Sequence, residues 1–272
     1  MPRARPNRNA TSAALTGALA LWLSLLALAP AAAQEAVDLE LVFAVDVSRS
    51  MDYDEQVLQR EGYADALTHP ATIAAILSGP RGRIAIAYLE WGGPWSLRTV
   101  LDWTTIASRA DALKAAETLR AAPIESSSGT SISSGLARAA EMIETNGFEG
   151  TRRVIDVSGD GPNNTGQRVD RIRDTLVGRG IEINGLPLML KQTIGFFNIP
   201  DLDIYYEDCV IGGPAAFVIP VRSRDEFRSA IRLKMVAEIS GRLPHPRLRR
   251  AAAMDCGIGE RLRRQWLDIQ GG

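Results

Sequence analysis

Short apolar runs alternate along the chain with longer segments in which apolar residues recur at every third or fourth position. The short runs predict β-strands, the first beginning at residue 39 and the others over residues 83–90, 95–103, 153–157, 181–188 and 216–221. The longer segments predict helices over residues 52–67, 72–77, 108–119, 133–144, 167–178 and 224–240. This alternation predicts a three-layer α/β fold, with a mostly parallel sheet of about six strands and helices on both faces. The G-G-P turn at residues 92–94 makes the strand after it an antiparallel edge.

The first 33 residues have the pattern of an export signal. Three arginines precede an apolar run over residues 13–29, and an A-A-A tripeptide ends at Ala33. A basic leader, an apolar core and an A-x-A site describe a secretory signal peptide, with cleavage expected after Ala33. The run also reaches the lower length limit of a membrane span, so an uncleaved anchor is the alternative. We therefore expect a periplasmic or secreted protein.

The charge of the chain excludes some classes of partner. The sequence holds 31 basic and 32 acidic residues, and removal of the three leader arginines leaves a net charge of −4. A mildly acidic chain without basic stripes argues against nucleic acid or an anionic membrane as the main partner. The mature chain, of about 240 residues, is long enough for one large α/β domain. We assign residues 34–240 to that domain and residues 241–272 to an Arg-rich tail.

The two cysteines, Cys209 and Cys256, both lie in the part predicted to be exported. A disulfide is the default expectation in an oxidising compartment, and two buried free thiols are the alternative. The bond would tie the tail to the domain. Neither cysteine has the spacing of a metal ligand.

Oxygen-bearing side chains follow the first strand at alternate positions, which are Asp46, Ser48 and Ser50. Alternate residues of an extended segment point the same way, so the three face a common point beyond the carboxyl end of the strand. Open α/β sheets hold ligands at that end, and carboxylate and hydroxyl oxygens suit Mg²⁺, Mn²⁺ or Ca²⁺ better than zinc or copper. The alternative is local, because Asp and Ser also favour turns and helix N-caps.

Two further loops carry the same kinds of side chain. The string S-S-S-G-T-S at residues 126–131 contains Thr130 and precedes a predicted helix, which one of its hydroxyls is expected to cap. The string V-S-G-D-G at residues 157–161 follows a buried strand and places Asp160 at the carboxyl end of the sheet. Its glycines would let a ligand approach the backbone closely.

The order D-x-S-x-S, then a threonine about 80 residues later and an aspartate about 30 further on, resembles the metal-ion-dependent adhesion site (MIDAS) of von Willebrand factor A (VWA) domains. The resemblance covers roughly residues 37–240 and implies the Rossmann-like VWA fold. It also implies a divalent ion, Mg²⁺ or else Mn²⁺ or Ca²⁺, held by Asp46, Ser48, Ser50, Thr130 and Asp160. In such domains the hydroxyls bind the ion directly, the aspartates often act through water, and a partner protein's carboxylate takes the open coordination position. Two aspartates balance the ion's charge, and neutral hydroxyls leave it able to attract another anion.

Among such domains the chain looks most like a secreted bacterial group with no established function, on the strings Q-R-E-G-Y-A, S-G-D-G-P-N-N and C-V-I-G-G-P. It departs from the commoner first loop at Arg49, where glycine is usual. Because the Arg49 side chain can point to solvent, we expect the departure to affect metal affinity rather than the existence of the site.

The leading hypothesis is an exported protein-binding module, not an enzyme, that docks an Asp or Glu of a partner protein on the bound ion. It involves no nucleic acid and no membrane insertion after signal cleavage. A hydrolase is one alternative, yet neither His69 nor His245 has an evident acidic partner, and the common nucleophile and phosphate-binding motifs are absent. A structural envelope protein, whose ion only stiffens three loops, is another alternative that the sequence does not separate from a docking module.

Overall fold

Five strands form one mixed sheet in the part of the chain that the structure describes. The structure is a computed structural model, and it describes residues 34–190, 198–242 and 254–271. The strands are β1 (Glu35–Asp46), β2 (Ile84–Trp91), β3 (Leu97–Ile106), β4 (Phe148–Gly159) and β5 (Glu182–Pro187). Their order is β3-β2-β1-β4-β5, and all neighbours are parallel except β2 and β3. The mostly parallel sheet with an antiparallel edge confirms the prediction.

Helices cover both faces of this sheet. Their bounds are α1 (Tyr53–Thr68), α2 (Pro70–Leu77), α3 (Arg109–Ala121), α4 (Ile132–Glu144), α5 (Val169–Gly178), α6 (Leu202–Tyr205), α7 (Arg224–Ser240) and α8 (Ile258–Gly271). A short π-helix, Tyr206–Val210, continues α6. Helices α1, α2, α3 and α7 pack in one hydrophobic core, while α4, α5, α6 and α8 pack in the other. These three layers are the predicted α/β architecture.

Strand β1 divides its side chains between the two cores. Leu41 and Phe43 lie in one core, and Val42 and Ala44 lie in the other, because alternate side chains of a strand point to opposite faces. All four are fully buried, which is why the strand reads as a continuous apolar run. Asp46 stands where this run ends, at the carboxyl edge of the sheet.

The predicted sixth strand, residues 216–221, is wrong as a regular strand. This segment runs beside β5, but it pairs there only through isolated bridges, from Val218 to Gly185 and from Val221 to Leu188. Pro220 lies between the two bridges and has no N–H to donate to a ladder. The regular sheet therefore has five strands instead of about six.

The C-terminal tail contains a helix that the apolar pattern did not predict. Cys209, in the π-helix, and Cys256 form a disulfide just before α8 begins, which confirms the default expectation for the two cysteines. Ile258 and Leu262 of α8 pack against the core that contains α4 and α5. The tail is therefore packed on the domain rather than being only tied to it.

The predicted signal peptide, residues 1–33, lies outside the described residues. Within the described ranges, no helix is both long enough and apolar enough to cross a bilayer. The division of the chain into a leader, a domain at residues 34–240 and a tail stays a prediction.

Candidate metal centre

The first loop leaves the end of β1 with its polar side chains linked to one another. The backbone N–H of Ser48 donates to Asp46 Oδ1 at 2.7 Å, and the hydroxyl oxygens of Ser48 and Ser50 lie 2.8 Å apart. Asp46 and Ser48 are buried, whereas Ser50 is exposed. The loop thus presents a row of oxygens that runs from the interior to the surface.

The second loop is joined to the first by backbone hydrogen bonds. Arg49 N donates to Ser127 O, and Ser127 N donates to Val47 O, both at 2.8 Å. Gly129 then takes a φ of +86°, a value that favours glycine, and Thr130 follows it with a side chain that is almost fully buried. The α4 N-cap is Ser131, whose Oγ accepts from Ser134 N at 3.3 Å. The same loop therefore caps α4 through Ser131, as predicted, and carries the predicted ligand Thr130.

The third loop begins where β4 ends, and it comes close to the first. Asp160 Oδ1 accepts from Ser50 Oγ at 2.6 Å. Gly159 allows this approach, because a Cβ at that position would lie 2.9 Å from Asp46 Oδ2 and also 2.9 Å from the phenol oxygen of Tyr206. A side chain at residue 159 would therefore displace the carboxylate at the base of the site.

The predicted site residues lie together at one edge of the sheet. Hydrogen bonds connect Asp46 through Ser48 and Ser50 to Asp160. Thr130 lines the same cleft as the two serines, a space of about 500 Å³ at the surface. Residues from three loops that are far apart in the sequence thus lie close together.

The charges and unsatisfied atoms of this site suit a divalent cation. Asp46 Oδ2 is buried and accepts no hydrogen bond within the described parts of the chain. Burial raises the pKa of Asp46 well above its usual range, and the nearby charge of Asp160 raises this pKa further. A cation beside the two carboxylates would stabilise the buried charge of Asp46 and would offset its repulsion by Asp160. The hydroxyls of Ser48, Ser50 and Thr130 would complete a hard-oxygen donor set.

The charged residues next to these loops have positions that can be explained without a metal ion. The Arg49 side chain is exposed at the rim. Asp52 and Glu55 form a capping box at the start of α1, in which Asp52 Oδ1 accepts from Glu55 N at 2.9 Å and Glu55 Oε2 accepts from Asp52 N at 3.0 Å. These two acidic residues therefore cap the N-terminus of α1.

Two asparagines that the sequence analysis did not single out connect the loops. Asn164 Oδ1 accepts from Thr130 N at 3.1 Å, and Asn164 N donates to Thr130 O at 2.9 Å. Asn163 Oδ1 accepts from Ser133 N at 3.0 Å, at the start of α4. The only sequence signal for them was the N-N dipeptide in the third loop, separated from Gly161 by Pro162, and this dipeptide has no periodicity of its own.

Solved structures with the same fold include adhesive and matrix proteins. The pilus adhesin SpaC from Lactobacillus rhamnosus GG matches 75% of this chain and 31% of its own, with a TM-score of 0.58 at 12% identity. A von Willebrand factor type A protein from Catenulispora acidiphila matches 75% of this chain and 43% of its own, with a TM-score of 0.53 at 16% identity. At such identities the likeness shows the fold alone, and the chain spans less than half the length of either protein.

A third structure is informative about metal binding in this fold. It is proximal thread matrix protein 1 from the mussel byssus, described with a zinc-occupied MIDAS motif. It matches 75% of this chain and 48% of its own, with a TM-score of 0.51 at 14% identity. A divalent ion therefore occupies the MIDAS of a protein with this fold.

None of the curated proteins matches the sequence. A family model does match it, over residues 36–243, and its description is "protein of unknown function (DUF1194)". The match spans most of the chain and includes all three loops. The chain therefore belongs to the DUF1194 family, and its domain has the von Willebrand factor A fold.

Proposed function

We propose that this protein is an exported protein-binding module that docks an acidic residue of its partner on a divalent cation. The observation that carries the proposal is the carboxylate of Asp46, buried with one oxygen unsatisfied among the described residues and linked through two serines to Asp160. A site built only to cap a helix needs no buried carboxylate at its base. The fold is shared with an adhesin and a matrix protein, which supports a binding role.

Each predicted ligand has a distinct role in this proposal. Ser48, Ser50 and Thr130 bind the ion through their hydroxyls, and Asp46 and Asp160 balance its charge directly or through water. When bound, the ion supplies a positive charge with an open coordination position, which a carboxylate can take. The backbone hydrogen bonds from Asn164 hold Thr130 in place.

The preferred ion in this proposal is Mg²⁺, with Mn²⁺ or Ca²⁺ as the alternatives. All five donors are hard oxygens, and neither a cysteine nor a histidine is among them. Zinc belongs in any test, because the mussel protein is described with zinc in its MIDAS.

Binding without catalysis is the interpretation that the position of His69 favours. His69 is the N-cap of α2, where its Nδ1 accepts from Ala71 N at 3.1 Å, and it does not line the cleft. His245 lies outside the described residues. Export is supported by the leader and by the disulfide, which suits an oxidising compartment.

The first test is a thermal melt of the mature protein with Mg²⁺, Mn²⁺, Ca²⁺ or Zn²⁺. An ion at a hundred times its dissociation constant adds about 2.7 kcal/mol to the free energy of unfolding, so the melting temperature should rise. Asp46→Asn and Asp160→Asn should remove this rise. Asp54→Asn is the matched control, because Asp54 is exposed in the first turn of α1 beside the site and is not a predicted ligand. A full rise in Asp46→Asn would rule out the site.

A second measurement separates docking from a purely structural ion. A labelled aspartate-rich peptide is titrated with the protein in Mn²⁺ and again in EDTA. Docking through the ion requires binding in Mn²⁺ and its loss in EDTA. Equal binding in both, beside a normal thermal response to metal, would leave the ion with a structural role only.

A further inference from the structure

Helix α8 lies directly against the third metal loop. A Cβ on Gly259 would lie 2.1 Å from the carbonyl oxygen of Asn163, so the first turn of α8 approaches the loop as closely as a glycine allows. Asn163 Nδ2 donates to Glu260 Oε1 at 2.7 Å. The disulfide at Cys256 holds this end of the helix in place. The position of α8 is therefore set by the same loop that carries Asp160.

One face of α8 continues from this contact to the cleft. Gly259, Arg263 and Trp266 are spaced four and three residues apart, so they share a side of the helix. Arg263 and Trp266 line the cleft together with Ser48, Ser50 and Thr130. The nitrogen Nη1 of Arg263 lies 3.9 Å from the position of a Cβ on Gly129, the residue before Thr130. The guanidinium is thus beside the second metal loop.

Within the described ranges, every charged side chain that lines the cleft is positive. These side chains belong to Arg49 and Arg263. Within the described ranges, neither arginine pairs with a carboxylate, whereas Arg261 on the same helix pairs with Asp255. Arg263 is also partly buried, whereas Arg49 is exposed.

We propose that Arg263 is a specificity residue, which binds a second carboxylate of the same partner segment. This inference rests on the proposed function, in which the first carboxylate takes the open position of the ion. A guanidinium offers a fork of donors that matches a carboxylate. The site would therefore select a segment with several acidic residues over one with a single Asp or Glu. Arg49, on the opposite loop and exposed, adds to the positive potential that attracts such a segment.

The test compares two labelled peptides of glycine and serine, one with a single central aspartate and one with four consecutive aspartates. Affinities are measured in Mn²⁺ for the parent, Arg263→Gln and Arg264→Gln. The last variant is the matched control, because Arg264 is exposed on α8 and does not line the cleft. We expect Arg263→Gln to weaken binding of the tetra-aspartate peptide roughly five-fold, the size of an ion pair at a partly exposed position. Binding of the single-aspartate peptide should change less than two-fold.

The possible outcomes separate this inference from the proposed function. Three results would overturn the inference alone. Tetra-aspartate binding could be unchanged in Arg263→Gln, or it could be weakened equally in Arg264→Gln. The parent could also bind the tetra-aspartate peptide no more tightly than the single-aspartate peptide. No binding of either peptide by a parent that still responds thermally to Mn²⁺ would overturn acidic docking and the inference with it. Loss of the thermal response in Arg263→Gln would show that Arg263 supports the loops instead of the partner. An absent response in the parent would overturn the proposed metal site itself.

Discussion

At the scale of single residues, the site depends on Gly159, the last residue of β4. Its missing side chain lets Asp46 Oδ2 and the phenol of Tyr206 occupy the same small region. Burial raises the pKa of Tyr206 well above its ordinary value, and the charges of Asp46 and Asp160 raise it further. The phenol therefore stays protonated beside two carboxylates, and there is no room for another group.

Gly159→Ala should damage the candidate metal centre. A Cβ at 2.9 Å from a carboxylate oxygen forces Asp46 or the β4 backbone to move, and overpacking of this kind costs about 1–3 kcal/mol. We expect a lower melting temperature without metal and a smaller rise on addition of Mn²⁺. Both values come from one set of thermal melts.

Gly161→Ala is the matched control for this substitution. It lies in the same loop, and among the described residues a Cβ there would have no heavy atom within 4 Å apart from its neighbours in the chain. Its melt and its response to Mn²⁺ should equal those of the parent. If Gly159→Ala also responds to Mn²⁺ as the parent does, the position of the Asp46 carboxylate does not depend on the missing side chain at residue 159.

At the scale of elements, α8 borders the candidate metal centre rather than being an appendage. The disulfide joins it to the π-helix after α6, and Asn163 joins it to the third metal loop. Tyr205 of α6 belongs to the same arrangement, because its hydroxyl accepts from Asn163 N at 3.2 Å. Loss of the disulfide should therefore be felt at the metal loops.

Reduction of the Cys209–Cys256 disulfide should destabilise the protein and weaken its response to metal. The bond closes a separation of 47 residues, for which the loss of loop entropy predicts about 2–4 kcal/mol of stabilisation. Thermal melts with and without dithiothreitol, each with a Mn²⁺ titration, measure both effects. The variant with serine at both positions should melt like the reduced parent and be insensitive to dithiothreitol. The reduction of both thiols is verified in the same samples. A response to Mn²⁺ that is unchanged in the reduced parent would show that the metal loops do not depend on the disulfide that positions α8.

At the scale of the whole molecule, a buried ionic cluster joins the sheet to α7. The ammonium of Lys234 lies 2.6 Å from Asp156 Oδ1 on β4 and also pairs with Glu238 on its own helix. All three side chains are buried, and Asn184 of β5 donates to Glu238 Oε1 at 3.0 Å. Burial raises the pKa of Glu238 to about 8, with the charge of Asp156 as the second cause. Two carboxylates therefore share one lysine and hold a proton near neutral pH.

The stability of the protein should fall as the pH rises from about 5 to about 8. The folded state keeps a proton on Glu238 that the unfolded chain releases near its ordinary pKa of 4.5, so the folded state binds more protons in this window. Glu238→Gln should remove roughly 1–3 kcal/mol of this dependence. Chemical denaturation at several pH values measures it as the difference between variant and parent, in which the titrations of groups outside this cluster cancel.

Asp225→Asn serves as the control for the pH experiment. Asp225 is exposed in the first turn of α7, far along the helix from the cluster, so its removal should leave the pH dependence as in the parent. A Glu238→Gln profile that is parallel to the parent profile would show that Glu238 is already ionised in the folded state at pH 5.

The sequence by itself determined the alternation of strands and helices, the antiparallel edge and the positions of the polar loops. These features have local signals, because a continuous apolar run marks a strand that is buried on both faces, as in β1, and helical spacing marks the covered face of α4. The first loop was also readable, since Asp46, Ser48 and Ser50 are close neighbours in the chain. The resemblance to VWA domains then implied that Thr130 and Asp160 share one ion with these three residues.

Only the tertiary structure decided how these loops meet and what stands beside them. The hydrogen bond from Ser50 to Asp160 spans 110 residues, and the approach of Arg263 to Gly129 spans about half of the chain. Neither contact has a periodic signal, because each depends on strand order and on where the disulfide places α8. The bridges that replace a sixth strand also depend on Pro220, whose missing N–H matters only once β5 lies beside it. Local pattern sets the elements, while long-range packing sets the chemistry at their ends.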